Sequence, residues 1–286
     1  MPAGDRLHTT VHSVLVAGHR TTYTSVGSGP PLVFLHGWAL GTRSYRHGLR
    51  RLAELGLTVL APALPGFGGT PELPASERSI EGYAGWVARF LDAVPISDPV
   101  TLVGHSFGGG VAIRTAYEQP DRVNRLVAIN SIGGSAWTEA GGAVRSMVER
   151  PLWDWGLHLQ ADVLPWRQFT RVVPVVAGDV LPNVMTNPRA VWRVAKIASR
   201  TNLTNELQAL RERRLPVVIL WGDRDTVVTR SSVESMRQAL GDPESITVPG
   251  SHSWLIADPA AFGEVMTNVI SLGAEPEPDS ADEPEP

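Results

Sequence analysis

Along the chain the apolar positions switch repeatedly between a period of two and a period near 3.6. "TTVHSVLVAG" and "HRTTYTSVG" alternate and meet at Gly18, which predicts a β-hairpin. The run "LVFLHGW" that follows is continuously apolar, as in a strand buried on both faces. Next come a helical stretch ending near "LRRLAELG", a second buried run "LTVLAPAL", the Gly/Pro turn "PGFGG" and a helix around "SIEGYAGWVARFLDAV". "PVTLVGHS", "GGGVAIRTAYEQP" and "VNRLVAINS" then read as strand, helix and strand. Such alternation predicts an α/β fold, a doubly wound and mostly parallel sheet with helices on both faces.

From about Gly133 the strand signals stop. Residues 134–213 form a helical, Pro-interrupted stretch rich in tryptophan (Trp137, Trp153, Trp155, Trp166, Trp192), which reads as an insertion. Strands and helices resume with "LPVVILWGD", "SSVESMRQALG", "ESITVPG" and "PAAFGEVMTNVISL". The core is therefore expected over 1–133 and 214–272, with the insertion as a helical cap. The tail 273–286 alternates acid and proline with almost nothing apolar to bury, so disorder is expected there.

Composition narrows the functional classes. With 286 residues and 43% hydrophobic content the chain fits one large domain carrying an insertion. A formal charge of −4 and no basic, aromatic-laced cluster argue against nucleic acid as a partner. Lys196 is the sole lysine, so the positive charge is nearly all arginine. The chain has no cysteine, which excludes disulfides, thiolate metal sites and a cysteine nucleophile, and suits a reducing compartment. The N-terminus lacks the apolar stretch of a secretory leader, and no window reaches the roughly 18 apolar residues of a spanning helix. A cytoplasmic protein without a membrane span is expected.

Candidate chemistry begins at "VGHSFGGG", residues 103–110, where GxSxG lies between a predicted strand and a predicted helix. A sharp turn there exposes Ser106, and Gly104 and Gly108 permit the close packing it requires. A serine hydroxyl attacks only when a base takes its proton. Of eight histidines, His8, His12 and His19 lie in the hairpin, His47 in a polar helix, His158 in the insertion, and His105 beside the serine but pointing away. His252 in "VPGSHSWL" follows the last strand, in a loop opening on the same sheet edge as Ser106. The base needs a carboxylate to orient it. "ILWGDRDTVV" offers Asp223, which ends the strand and reads as a turn residue, and Asp225, two residues further out where a loop reaches His252.

The order Ser106, Asp225, His252, together with "FLHGW", "LPGFGGT", "VGHSFGGG", "LWGDRD" and "GSHSWL", resembles the α/β-hydrolase-fold serine hydrolases over residues 20–272, much of the insertion excepted. The resemblance implies an oxyanion hole formed by the backbone N–H groups of Trp38 and Phe107, supported by the dipeptide His36–Gly37. It also implies a substrate site lined by His36, Gly37, Trp38, Phe107, Trp137 and Trp254, and no metal or cofactor. Ala63 stands where the family often has aspartate, a departure that weakens the subfamily match only. Epoxide hydrolases and haloalkane dehalogenases of this fold use an aspartate nucleophile where this chain has Ser106.

The expected activity is cleavage of a small-molecule carboxylic ester with an apolar acyl or alcohol group, through an acyl-enzyme. A C–C bond hydrolase of the meta-cleavage type resembles the chain in its core motifs and is the first alternative. Perhydrolase-like activity ranks behind it. A ligand-binding receptor that keeps the fold is the alternative from another class, although a pure binding module has no physical need for all three of Ser106, Asp225 and His252.

Overall fold

The computed structural model describes residues 7–134 and 177–271. Among these, eight strands form one sheet in the order β1-β2-β4-β3-β5-β6-β7-β8. β1 (Thr10–Val16) and β2 (His19–Val26) make the predicted hairpin, and β2 pairs antiparallel with β4 (Thr58–Pro62). From β4 onward the pairing is parallel, through β3 (Pro31–Leu35), β5 (Val100–His105), β6 (Val123–Ile129), β7 (Val217–Gly222) and β8 (Ser245–Val248). The expected α/β class and doubly wound, mostly parallel sheet are present.

The continuous apolar runs are apolar because both faces of each central strand are covered. Along β3, Val33 and Leu35 join one core cluster while Leu32 and Phe34 join the other; along β6, Leu126 and Ala128 divide from Val127 and Ile129 in the same way. On the first face lie α2 (Ile80–Ala93), α3 (Phe107–Glu118) and α6 (Arg230–Leu240); on the second lie α1 (Arg46–Glu54), the short α7 (Trp254–Ala257) and α8 (Pro259–Ser271). Burying each large aliphatic or aromatic side chain contributes about 1.5–3 kcal/mol. Local signals set the helix ends: Ser79 caps α2 by accepting from Gly82 N–H at 3.2 Å, and Gly241, at φ 73°, closes α6.

Between β6 and β7 the described chain contains helical residues 177–186, α4 (Pro188–Ala198) and α5 (Thr204–Glu212). Leu207 and Leu210 of α5 are fully buried in the cluster that contains Val111 and Ile113 of α3, and Glu206 bonds Arg114 at 2.6 Å. Apolar packing on α3 thus joins α5 to the core cluster, which also takes in Val191, Val194 and Ala198 of α4. Trp137, Trp153, Trp155, Trp166 and the tail from 273 lie outside the described residues.

Buried polar groups stitch the strand ends together. His36, following β3, accepts the Leu64 N–H on Nε2 at 2.9 Å and meets the Gly37 carbonyl with Nδ1 at 2.9 Å. His105, closing β5, meets the Tyr45 hydroxyl through Nδ1 at 2.7 Å and the His252 carbonyl through Nε2 at 2.9 Å. A carbonyl only accepts, so His36 carries its proton on Nδ1 and His105 on Nε2, and neither ring has a nitrogen to spare. Burial pushes His36 down to about 4 and His105 to about 3, the latter helped by the neighbouring His252.

A Cβ on Gly104 would stand 2.3 Å from the Gly108 carbonyl oxygen and 2.6 Å from Gly109 Cα, so Gly104→Ala should cost more than about 2 kcal/mol, read as a lowered urea midpoint. For the histidines, an unfolded group titrates near 6.5 while the folded one stays neutral to about 4 or below. Below pH 6.5 the unfolded chain takes up protons that the folded one refuses. Stability is therefore intact above that pH and declines as pH falls, with a slope of up to about 1.4 kcal/mol per unit for each histidine. His36→Gln should flatten the decline between pH 6 and pH 4.5, and an unchanged slope in that variant would remove His36 from the account.

Candidate active site

Parallel strands end on one side of the sheet, and the loops that leave β5, β6, β7 and β8 meet there. Ser106 forms the turn from β5 into α3 with φ 55° and ψ −117°, a region L-residues avoid. Several contacts hold it. Its N–H bonds the Ile129 carbonyl at 2.9 Å, and its carbonyl accepts from Gly109 at 3.0 Å and from Gly110 and Ile132 at 3.3 Å. The glycines around it are required by contact, because a Cβ on Gly108 would lie 2.3 Å from the Leu35 carbonyl oxygen. The serine is 8% exposed.

His252, in the loop after β8, points Nε2 at Ser106 Oγ at 2.9 Å and Nδ1 at Asp225 Oδ2 at 2.8 Å. A carboxylate oxygen only accepts, so Nδ1 carries the proton and Nε2 is left to accept from the hydroxyl. The Asp225 side chain is fully buried and every oxygen is used: Oδ1 accepts from Val227 N–H at 2.8 Å and Val228 N–H at 2.9 Å, and Oδ2 from Asn130 Nδ2 at 2.7 Å. This pins the carboxylate under the imidazole. Asp223 instead accepts the Gly250 N–H at 2.9 Å, pairs with Arg224 and remains half-exposed. It staples the loops after β7 and β8, a turn role. An alignment of this kind can carry the Oγ proton to Nε2 as the oxygen attacks an electrophile, with the buried carboxylate stabilising the imidazolium that results.

Around Ser106 the other sequence-assigned residues divide. Phe107 is the first residue of α3, so its N–H has no carbonyl partner within the helix. Its ring is buried edge-on against Tyr83 at 5.0 Å, which leaves the backbone as the part of Phe107 near the serine. Gly37 lies against the serine as well, since a Cβ there would stand 3.5 Å from Ser106 Cβ and 3.0 Å from His105 Nδ1. Trp38 is partly buried, and its indole Nε1–H donates to the Val191 carbonyl of α4 at 2.7 Å. Two residues assigned to the substrate lining turn their rings inward. His36 is 1% exposed with both ring nitrogens engaged, so it braces its loop. Trp254 is 4% exposed, packs its ring on Phe262 and donates Nε1–H to Asn130 Oδ1 at 3.1 Å, because α7 turns that face toward the α8 side of the core. Trp137 is outside the described residues.

Asn130 and Tyr45 belong to the site and carry no motif. Asn130, fully buried at φ 44°, donates to Asp225 and to the Ser251 and His252 carbonyls at 3.3 Å, and accepts from Gly222 N–H at 3.2 Å. Tyr45 accepts the Gly37 N–H at 3.0 Å and gives its own proton to His105, linking the loop after β3 to the backbone of His252. Burial raises its hydroxyl well above the usual range. The only sequence cue to Asn130 was its place at the end of a core strand. Among the described residues no group of three or more His, Asp or Glu side chains is arranged to hold a metal ion.

Comparison with known proteins agrees with this architecture. A protein of Mycobacterium phage D29 that carries the name non-heme haloperoxidase is 27% identical, over 91% of this chain and 92% of its own. The 2-hydroxy-6-oxo-2,4-heptadienoate hydrolase of Pseudomonas putida is 36% identical over 43% of this chain and 45% of its own. Among solved structures, the enol-lactonase from Burkholderia xenovorans LB400 superposes with a TM-score of 0.74 at 18% identity, over 91% of this chain and 100% of that one, a likeness of fold. The family model described as the alpha/beta hydrolase family matches residues 32–265, most of the core strands and the whole of the site: the chain belongs to the alpha/beta hydrolase family.

Proposed function

We propose that this hydrolase cleaves a small-molecule carboxylic ester through an acyl-enzyme on Ser106. The observation that carries the reading is the unbroken line Ser106 Oγ, His252 Nε2, His252 Nδ1, Asp225 Oδ2, with separations of 2.9 and 2.8 Å at its two hydrogen bonds. Ser106 Oγ adds to the ester carbonyl as its proton passes to His252. The tetrahedral oxyanion is held by the N–H groups of Trp38 and Phe107, and collapses with the alcohol leaving under protonation from His252. Water then adds to the acyl-enzyme, giving its proton to His252, and the carboxylic acid departs as Ser106 recovers its hydrogen. Asp225 keeps the imidazole in the tautomer that both halves need.

The preference for an apolar acyl or alcohol group rests on the tryptophan- and valine-rich sequence of residues 134–213, read as a cap over the site. A cytoplasmic location, with neither nucleic acid nor membrane span involved, belongs to the same reading. The Pseudomonas C–C hydrolase relative favours one second reading, hydrolysis of a vinylogous diketone at the same serine.

Ser106→Ala should abolish turnover of p-nitrophenyl butyrate, and labelling by a fluorophosphonate probe, with thermal stability retained; an active alanine variant would sink the assignment. Asp225→Asn should lower kcat by about 10⁴-fold through the wrong imidazole tautomer. Asp223→Asn should stay within about tenfold of the parent, since its partners, the Gly250 amide and Arg224, lie outside the line from Ser106 to Asp225. Inverted effects in those two variants would reassign the acid. Release of product from a meta-cleavage dienone by a chain inert to graded p-nitrophenyl esters would decide for the second reading.

A further inference from the structure

The loop after β3, leading from Trp38 into the short turn Thr42–Tyr45, carries among the described residues the internal backbone bonds Leu40 N–H to Gly37 and Ser44 N–H to Gly41, at 3.3 and 3.2 Å. It also contains Ala39 at φ 58°, a left-handed state that costs a non-glycine residue about 1–3 kcal/mol and lasts only where neighbours enforce it.

The neighbours come from the helical residues 177–186. Asp179 Oδ2 accepts from Gly41 N–H at 3.1 Å, Ser44 N–H at 2.8 Å and Ser44 Oγ–H at 2.6 Å. Asn183, one turn along the same helix face and 6% exposed, donates Nδ2 to the carbonyls of Ala39 at 2.9 Å and Leu40 at 3.4 Å. Its Oδ1 accepts the Gly68 N–H at 3.0 Å, tying in the "PGFGG" turn. The strained residue and the cap of the short turn are both held by side chains more than 130 positions away in sequence.

We propose that Asp179 and Asn183 are positioning residues for the oxyanion hole, fixing the Trp38 N–H through the loop it heads, so that the helical residues 177–186 help complete the site. This rests on Trp38 being a donor, the reading given above. The physical requirement is narrow: an oxyanion donor must lie about 2.7–3.1 Å from where the oxygen will stand in the transition state, and losing one donor costs on the order of 10²- to 10³-fold in rate. A loop released at Ala39 and Gly41 lets that N–H drift. The loss falls on the transition state, leaving ground-state binding nearly untouched.

Asn183→Leu removes all three bonds while keeping the branching and heavy-atom count of the side chain. With p-nitrophenyl butyrate it should lower kcat by about 10- to 100-fold while KM moves less than about threefold, and affinity for a trifluoromethyl ketone analogue of the acyl group should fall in step with kcat. Asp179→Ala should do the same, and Asp179→Asn, which keeps an acceptor for Gly41 and Ser44, should recover most of that loss. The Asp179 pair reads the same quantities if Asn183→Leu does not fold. Variants with parental kcat and inhibitor affinity but a lowered Tm would overturn the proposal, because the two residues would then only brace the fold. Fluorophosphonate labelling of the parent chain is run alongside: a labelled parent with unaffected variants defeats this inference alone, and an unlabelled parent defeats the acyl-enzyme reading beneath it.

Discussion

Ser106 stands at φ 55° and ψ −117°, and a backbone state of that kind persists only when the surrounding structure holds it from several directions. The hold comes from β6, whose last carbonyl takes the serine N–H, from the Gly109, Gly110 and Ile132 amides that share its carbonyl, and from the bare Cα surfaces of Gly104 and Gly108. Each of these needs the sheet already built in register, with His105 opposite Ile129 and Ile129 opposite Leu220. The strained turn is therefore a consequence of the parallel sheet. In return it orients one hydroxyl at the edge where the other loops end.

The second feature is a buried polar network in which single groups serve several partners at once. Asn130 links Asp225, the His252 backbone, Gly222 and Trp254, while His105 and Tyr45 link His252 to the loop after β3. Buried polar groups are costly when half satisfied and rigidifying when complete. Here the two histidines held neutral by burial act as fixed donors and acceptors, while His252 faces the serine hydroxyl. Three imidazoles within one sheet edge thus take different parts because their surroundings differ.

Much of this was legible in the chain. The switch between periods of two and 3.6 placed the strands and most of the helices that flank the sheet, since a buried parallel strand must be apolar on both faces and its flanking helix on one. GxSxG marked the turn because close packing admits only glycine at Gly104 and Gly108. Asp225 was separable from Asp223 by reach alone. His36 and Trp254 sit beside the motifs, but proximity in sequence does not say which way a ring points: a hydrogen bond from the Leu64 N–H and packing on Phe262 turn them inward. Asn130 and Tyr45 were missed because their partners lie 95 and 60 residues away.

By itself, then, the sequence determined the sheet, its helices and the chemical types at the strand ends, because these follow from local periodicity and steric necessity. Only the tertiary structure decided which polar groups meet. Hydrogen bonds within 3 Å between residues scattered from 36 to 252 depend on how the loops settle on one another, and no local pattern encodes that.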